Sequence, residues 1–128
     1  MTPAELLAEA RSLISRPDAS MAGVWPRTAA FLTRQALEDA VDARWAASSA
    51  TAPMLQASMW SRLACLPAYV SAPEARQAAF AYSALSRACH YHPYELAPTA
   101  AELTGWIADV ESLVAELGKH GTVRDNRF

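Results

Sequence analysis

The chain is short of the residues from which several common sites are built. Its 128 residues include 4 Gly, 3 His, 2 Cys and one lysine, Lys119. So little glycine leaves no material for a glycine-rich phosphate loop, and neither a G-x-S-x-G elbow nor an H-E-x-x-H pair occurs. No run of about 18 apolar residues is present. The opening MTPAELLAEARSLI carries acidic residues where a secretory signal has a basic region and an apolar block. The expectation is therefore a cytoplasmic protein with no membrane span. In that setting Cys65 and Cys89 read as reduced core thiols, not as a disulfide. The formal net charge of -2 argues against a protein whose main business is gripping long nucleic acid through its phosphates, leaving room for a small local basic site, and a DNA-binding regulator would need a basic recognition helix. Strand signals are missing too: no segment alternates apolar and polar residues, and β-branched residues are sparse beside Ala and Leu.

What is present is apolar and helical. A hydrophobic fraction of 52% with 19% charged residues suits one packed domain, placed at residues 1–118, with 119–128 as a flexible tail. Seven of the 8 prolines fall where a helix starts or between helices, and Pro67 alone interrupts a periodic run, predicting a kink or a helix end there. Thr2 with Glu5, Ser71 with Glu74, and Thr99 with Glu102 each match a capping box, in which a hydroxyl and a carboxylate satisfy free amides of a first turn. The first helix runs to about Ile14, with Leu6, Leu7, Ala10, Leu13 and Ile14 inward. PRTAAFLTRQALEDAVDARWAA and PMLQASMWSRLACL give the second and third. The fourth runs from about Pro73 to His90, burying Ala78, Tyr82, Leu85 and Cys89. The last runs from about Ala100 to Leu117, with Gly118 placed to cap it. The predicted fold is all-α, a compact bundle of about five helices. The linkers SRPDASMAG and ASSATAP and the tail HGTVRDNRF read as mobile. Trp45 and Trp106 lie in apolar stripes and read as core, Trp25 and Trp60 as surface, and Met54 and Met59 as packing.

One stretch concentrates chemistry, SRACHYHPYEL at residues 86–96. Arg87 and His90 are three apart and share a face at the end of the fourth helix, while Pro93 pushes His92 out of helical geometry. An arginine presents a planar fork of donors to a phosphate, and a histidine exchanges protons near neutrality. Together they suit phosphoryl chemistry on RNA, whose 2′-hydroxyl is a built-in nucleophile. Two plainer readings stand beside this one. Cations at a helix C-terminus complement the macrodipole and bond free carbonyls. The sequence CHYH also gathers zinc-type ligands, but a structural zinc needs about four in tetrahedral array, so no metal or other cofactor is expected.

Arg87, four intervening residues, His92, one residue and Tyr94 resemble the R-x4-H-x-Y motif of HEPN domains, small α-helical bundles that carry it near the end of the penultimate long helix. The tyrosine and the position give the match its specificity. The residue after the arginine, often a polar Asn in that family, is Ala88 here. The resemblance implies a metal-independent endoribonuclease of toxin or defence type, with Arg87 and His92 catalytic and His90 and Tyr94 supporting. It also implies a homodimer whose two motifs face one cleft, an RNA substrate, and a nucleotidyltransferase antitoxin partner that modifies the tyrosine. The alternative function is a non-catalytic helical module for dimerisation or protein interaction.

Overall fold

A computed structural model describes residues 1–16, 23–47, 54, 56–91 and 95–123, the last four by backbone alone. Among the described residues there are five α-helices and no strand: α1 (Pro3–Ser15), α2 (Trp25–Ala46), α3 (Met59–Cys65), α4 (Ala72–Cys89) and α5 (Ala100–Val123). The protein is an all-α bundle.

Helix α2 is its axis, because its buried residues span about half of its circumference. Ala29, Ala30, Thr33, Ala36, Leu37, Ala40, Val41 and Trp45 are buried at steps of one, three and four, and α1, α4 and α5 all pack on this face. The many alanines let those neighbours approach closely. The polar exceptions on this face, Thr33 and Arg44, donate to backbone carbonyls. Thr33 donates its hydroxyl to the Ala29 carbonyl at 2.7 Å. The Arg44 guanidinium donates to the Tyr69 carbonyl at 3.3 Å and lies over the Tyr69 ring.

The outer helices each present one apolar stripe, as the spacing predicts. Leu6, Leu7 and Ala10 of α1 are buried, with Leu13 and Ile14 half-buried beside them. Helix α4 buries Ala75, Ala78, Ala81, Tyr82, Ala84, Leu85, Ala88 and Cys89, and α5 buries Leu103, Ile107, Val110, Leu113 and Leu117. Arg11 ties α1 to α5 through two hydrogen bonds to the Glu111 carboxylate, at 3.0 and 2.5 Å. No helix of the described residues is long and apolar enough to cross a membrane.

The helix starts follow the caps. Thr2 and Glu5 form a reciprocal capping box, as do Thr99 and Glu102, and the Ser71 hydroxyl accepts from the Glu74 amide. Four expectations need correcting. The third helix begins at Met59, not near Pro53, because the Ser58 hydroxyl accepts from the Ser61 amide and caps it there. Its end falls at Pro67 as expected, in a 3-10 turn, Leu66–Ala68, where the proline has no amide to continue the helical ladder. Gly118 does not cap α5, which runs on to Val123; a glycine inside a helix costs about 1 kcal/mol relative to alanine and does not by itself stop one. Cys65 is exposed, not core, whereas Cys89 is buried; both thiols are free. Trp25 packs half-buried against the core, while Trp60 keeps 53% of its surface exposed. Leu55, His92, Pro93, Tyr94, most of both linkers and residues 124–128 lie outside the described residues.

Candidate functional site

The end of α4 and the start of α5 enclose a surface groove of 540 Å³. Its floor is Ala84 and Ala88 of α4. Its walls include Arg87 and Tyr91 on one side and Glu95, Leu96, Glu102 and Trp106 on the other. Small residues make the space, because a longer side chain at position 84 or 88 would fill it.

Arg87 stands exposed in the last turn of α4, and among the described residues it has no ion-pair or hydrogen-bond partner for its guanidinium. Its carbonyl accepts from the His90 amide at 3.1 Å, which closes the helix. At His90 the backbone leaves helical geometry, with φ -125 and ψ 27. His90 is exposed and does not line the groove, so the face it shares with Arg87 in the sequence is not a shared wall. His92 and Tyr94, the other two expected site residues, lie outside the described residues.

The charges opposite Arg87 are acidic. Glu102 accepts from the Thr99 amide at 3.1 Å, and the Thr99 hydroxyl accepts from the Glu102 amide at 3.1 Å. The carboxylate thus caps α5 while it lines the groove. Glu95 is exposed and makes no such bond among the described residues. A dianionic ligand would meet one cation and two carboxylates here, whereas a single phosphate seated against Arg87 meets the cation first.

Two residues of this region carry no signal in the motif. Tyr91 lines the groove, and Arg27, from the first turn of α2, donates Nη2–H to the Tyr91 carbonyl at 3.2 Å with its guanidinium 4.7 Å from the centre of the Tyr91 ring. Trp106, read as core, is half-buried: one side packs against the core and the other faces the groove.

Cys89 is no nucleophile in this arrangement. Burial pushes its thiol up from the ordinary value and Glu38 adds to this, while Arg34 and Arg27 pull it down by less. Among the described residues no three metal-ligating side chains converge. Cys89 points into the core, whereas neighbouring His90 is exposed, so the CHYH stretch does not gather its first two ligands.

Away from the groove, Trp60 meets Tyr82 edge-on at 4.9 Å, with Arg34 on the Tyr82 ring and paired to Glu38 at 3.2 Å. Phe31 and Phe80 are exposed on α2 and α4.

No protein-family model, curated protein or solved structure matches the chain.

Proposed function

We propose that this is a HEPN-like protein acting as a metal-independent endoribonuclease, with Arg87 and His92 as its reacting pair. The observation that carries this reading is the exposed guanidinium of Arg87, unpaired among the described residues, on a groove large enough for a nucleotide, five residues from a histidine. In the reaction His92 takes the proton of the 2′-hydroxyl or protonates the leaving 5′-oxygen. The 2′-oxygen bonds to phosphorus as the bond to the 5′-oxygen breaks, leaving a 2′,3′-cyclic phosphate and a 5′-hydroxyl. Arg87 stabilises the charge that builds on the phosphoryl oxygens, and Tyr94 orients the site. His90 has no role in this account, because it does not line the groove. A homodimer would bring two such grooves to one cleft, and a nucleotidyltransferase partner would act at Tyr94.

A second reading, a non-catalytic interaction module, is favoured by Glu95 and Glu102 in the groove and by Ala88, which forms its floor where catalytic relatives often carry a polar residue. One experiment separates the two: cleavage of a mixed RNA pool in EDTA by the natural protein, Arg87→Ala and His92→Ala, with the product ends mapped. Cleavage that survives chelation, leaves cyclic phosphate ends and disappears in both variants supports the ribonuclease. Equal, negligible cleavage by all three supports the module.

A further inference from the structure

We infer that the groove between α4 and α5 is a guanine-binding subsite. Tyr91 and Trp106 give it aromatic walls, the Glu102 carboxylate accepts from the N1–H and N2–H groups of the base, and Arg87 takes the attached phosphodiester. That the guanine belongs to RNA rests on the ribonuclease reading above. Recognition of the base does not, and it needs neither His92 nor Tyr94.

The polar groups of the groove divide by what they can exchange. A guanidinium only donates hydrogen bonds and a carboxylate only accepts them. Arg87 therefore calls for an anion, and Glu95 and Glu102 call for N–H groups. The rest of the lining is largely apolar, with an alanine floor and one aromatic ring from each wall. A ligand that meets all of these has an anionic group, a flat ring and hydrogen-bond donors on that ring. A nucleotide with an amino-bearing base is built on this plan. Unpaired bases stack on aromatic side chains and are read along their Watson–Crick edges. Holding a phosphate at Arg87 requires neither ring, so phosphoryl chemistry alone leaves Tyr91 and Trp106 unexplained.

Two of these groups are held before any ligand arrives. The Arg27 guanidinium lies over the Tyr91 ring, 4.7 Å from its centre, and Nη2 donates to the Tyr91 carbonyl at 3.2 Å. A ring already fixed loses little freedom when a base stacks on it. Glu102 is fixed by its cap, where Oε1 accepts from the Thr99 amide at 3.1 Å. A carboxylate has about four lone-pair sites, and this bond occupies one. Glu95 has no such anchor among the described residues, which makes Glu102 the reader. Guanine sets two donors, N1–H and an N2–H, side by side for a single carboxylate. Adenine and cytosine each place one amino group beside an acceptor nitrogen, and uracil has one N–H between two carbonyls. Those acceptors face a carboxylate unfavourably, so guanine binds first and uracil last.

The test is fluorescence anisotropy of the whole chain at low salt with short 2′-deoxyuridine oligomers, which lack the nucleophile. One position carries guanine, hypoxanthine (guanine without its N2 amine) or uracil. Guanine should bind roughly 5- to 100-fold tighter than uracil, with hypoxanthine between. Glu102→Gln removes the charge for every oligomer alike, so the uracil oligomer should bind tighter while the guanine-to-hypoxanthine ratio falls to within about two-fold. Glu95→Gln should leave that ratio unchanged. Tyr91→Leu should weaken all three oligomers by roughly 5- to 100-fold, because stacking tolerates any base. Equal affinities for the three oligomers in the natural protein overturn the inference, whatever the variants do. A ratio that survives Glu102→Gln overturns the assignment to Glu102. Guanine preference in a protein that cleaves no RNA upholds the subsite and sinks the ribonuclease reading. Cleavage of RNA without any base preference sinks the subsite and leaves that reading standing. Free 5′-GMP binding more tightly than the guanine oligomer overturns RNA as the source of the base.

Discussion

Glu102 does two things that can be separated by exchanging one atom. Its carboxylate accepts from the Thr99 amide at 3.1 Å, and it places a negative charge on the groove that holds Arg87. Glu102→Gln keeps an acceptor oxygen for the cap and removes the charge; Thr99→Ala removes the hydroxyl that accepts from the Glu102 amide and keeps the charge. Losing a threonine cap costs about 1 kcal/mol, which in a domain of this size lowers Tm by roughly 3–5 °C. Glu102→Gln loses only the attraction between a carboxylate and the helix N-terminus, about 0.3–0.5 kcal/mol, or roughly 1–2 °C. In the groove the order reverses. Two like charges roughly 8 Å apart repel by about 0.5 kcal/mol in water-like dielectric and by about 2 kcal/mol at an effective constant near 20, which sets the scale for a phosphate at Arg87 in the groove that Glu102 also lines. Removing that charge should tighten binding of a short RNA roughly 2- to 30-fold at low salt, the gain shrinking as salt rises. Thermal melts and fluorescence anisotropy of the two variants read both quantities. A Tm loss in Glu102→Gln equal to that in Thr99→Ala would show that charge, not hydrogen bonding, makes the cap. Unchanged RNA affinity at low salt would refute the groove as the path of the phosphate.

Two further predictions concern groups outside the groove. At neutral pH a thiol reagent should label Cys65 quickly and Cys89 only on unfolding, because Cys65 is exposed while Cys89 is buried with its thiol pushed up; fast labelling of folded Cys65→Ser would contradict this. The Arg11 guanidinium holds the Glu111 carboxyl below the usual carboxylate range, so its contribution is present above the unfolded value of about 4.3 and is lost as pH falls through the lower folded value. Both side chains are about two-fifths exposed, so Glu111→Gln should cost under about 1 kcal/mol at neutral pH, and urea midpoints should converge with the natural protein in acid; a gap that persists there would refute the linkage.

The parts of this fold that could be read from sequence are those with local causes. A capping box states its own helix start within four residues, and both complete boxes, at Thr2 and Thr99, are formed. The stripes of α4 and α5 were legible because each packs one face inward. Helix α3 was misjudged because its start depends on Ser58 alone, without an acidic partner, while the preceding PMLQ residues carry no breaker after Pro53. Cys65 was assigned to the core by residue type, but it lies two positions from buried Leu63, about 200° round the helix and so on the opposite side. Gly118 marked an end only on the assumption that the helix stopped there. Arg87, which lines the groove, stands out in the sequence by its spacing to His92. Arg27 does not, since its partner is 64 residues away and no local pattern points to it.

The charges around the groove differ in what their positions explain. Arg87 occupies the last turn of α4, where a cation complements the negative end of the helix, and Glu102 the first turn of α5, where an anion complements the positive end. Either would be favourable there in a protein that binds nothing, so neither charge by itself argues for a ligand. The alanine floor and Arg27 are different. Ala84 and Ala88 leave open a volume that larger apolar residues would fill with gain in burial. Arg27 sits at the end of α2 where its charge is least welcome, and its contacts there are with Tyr91. Helix stability accounts for the pair of charges the motif makes conspicuous. The features it does not account for are the alanine floor and the arginine on Tyr91.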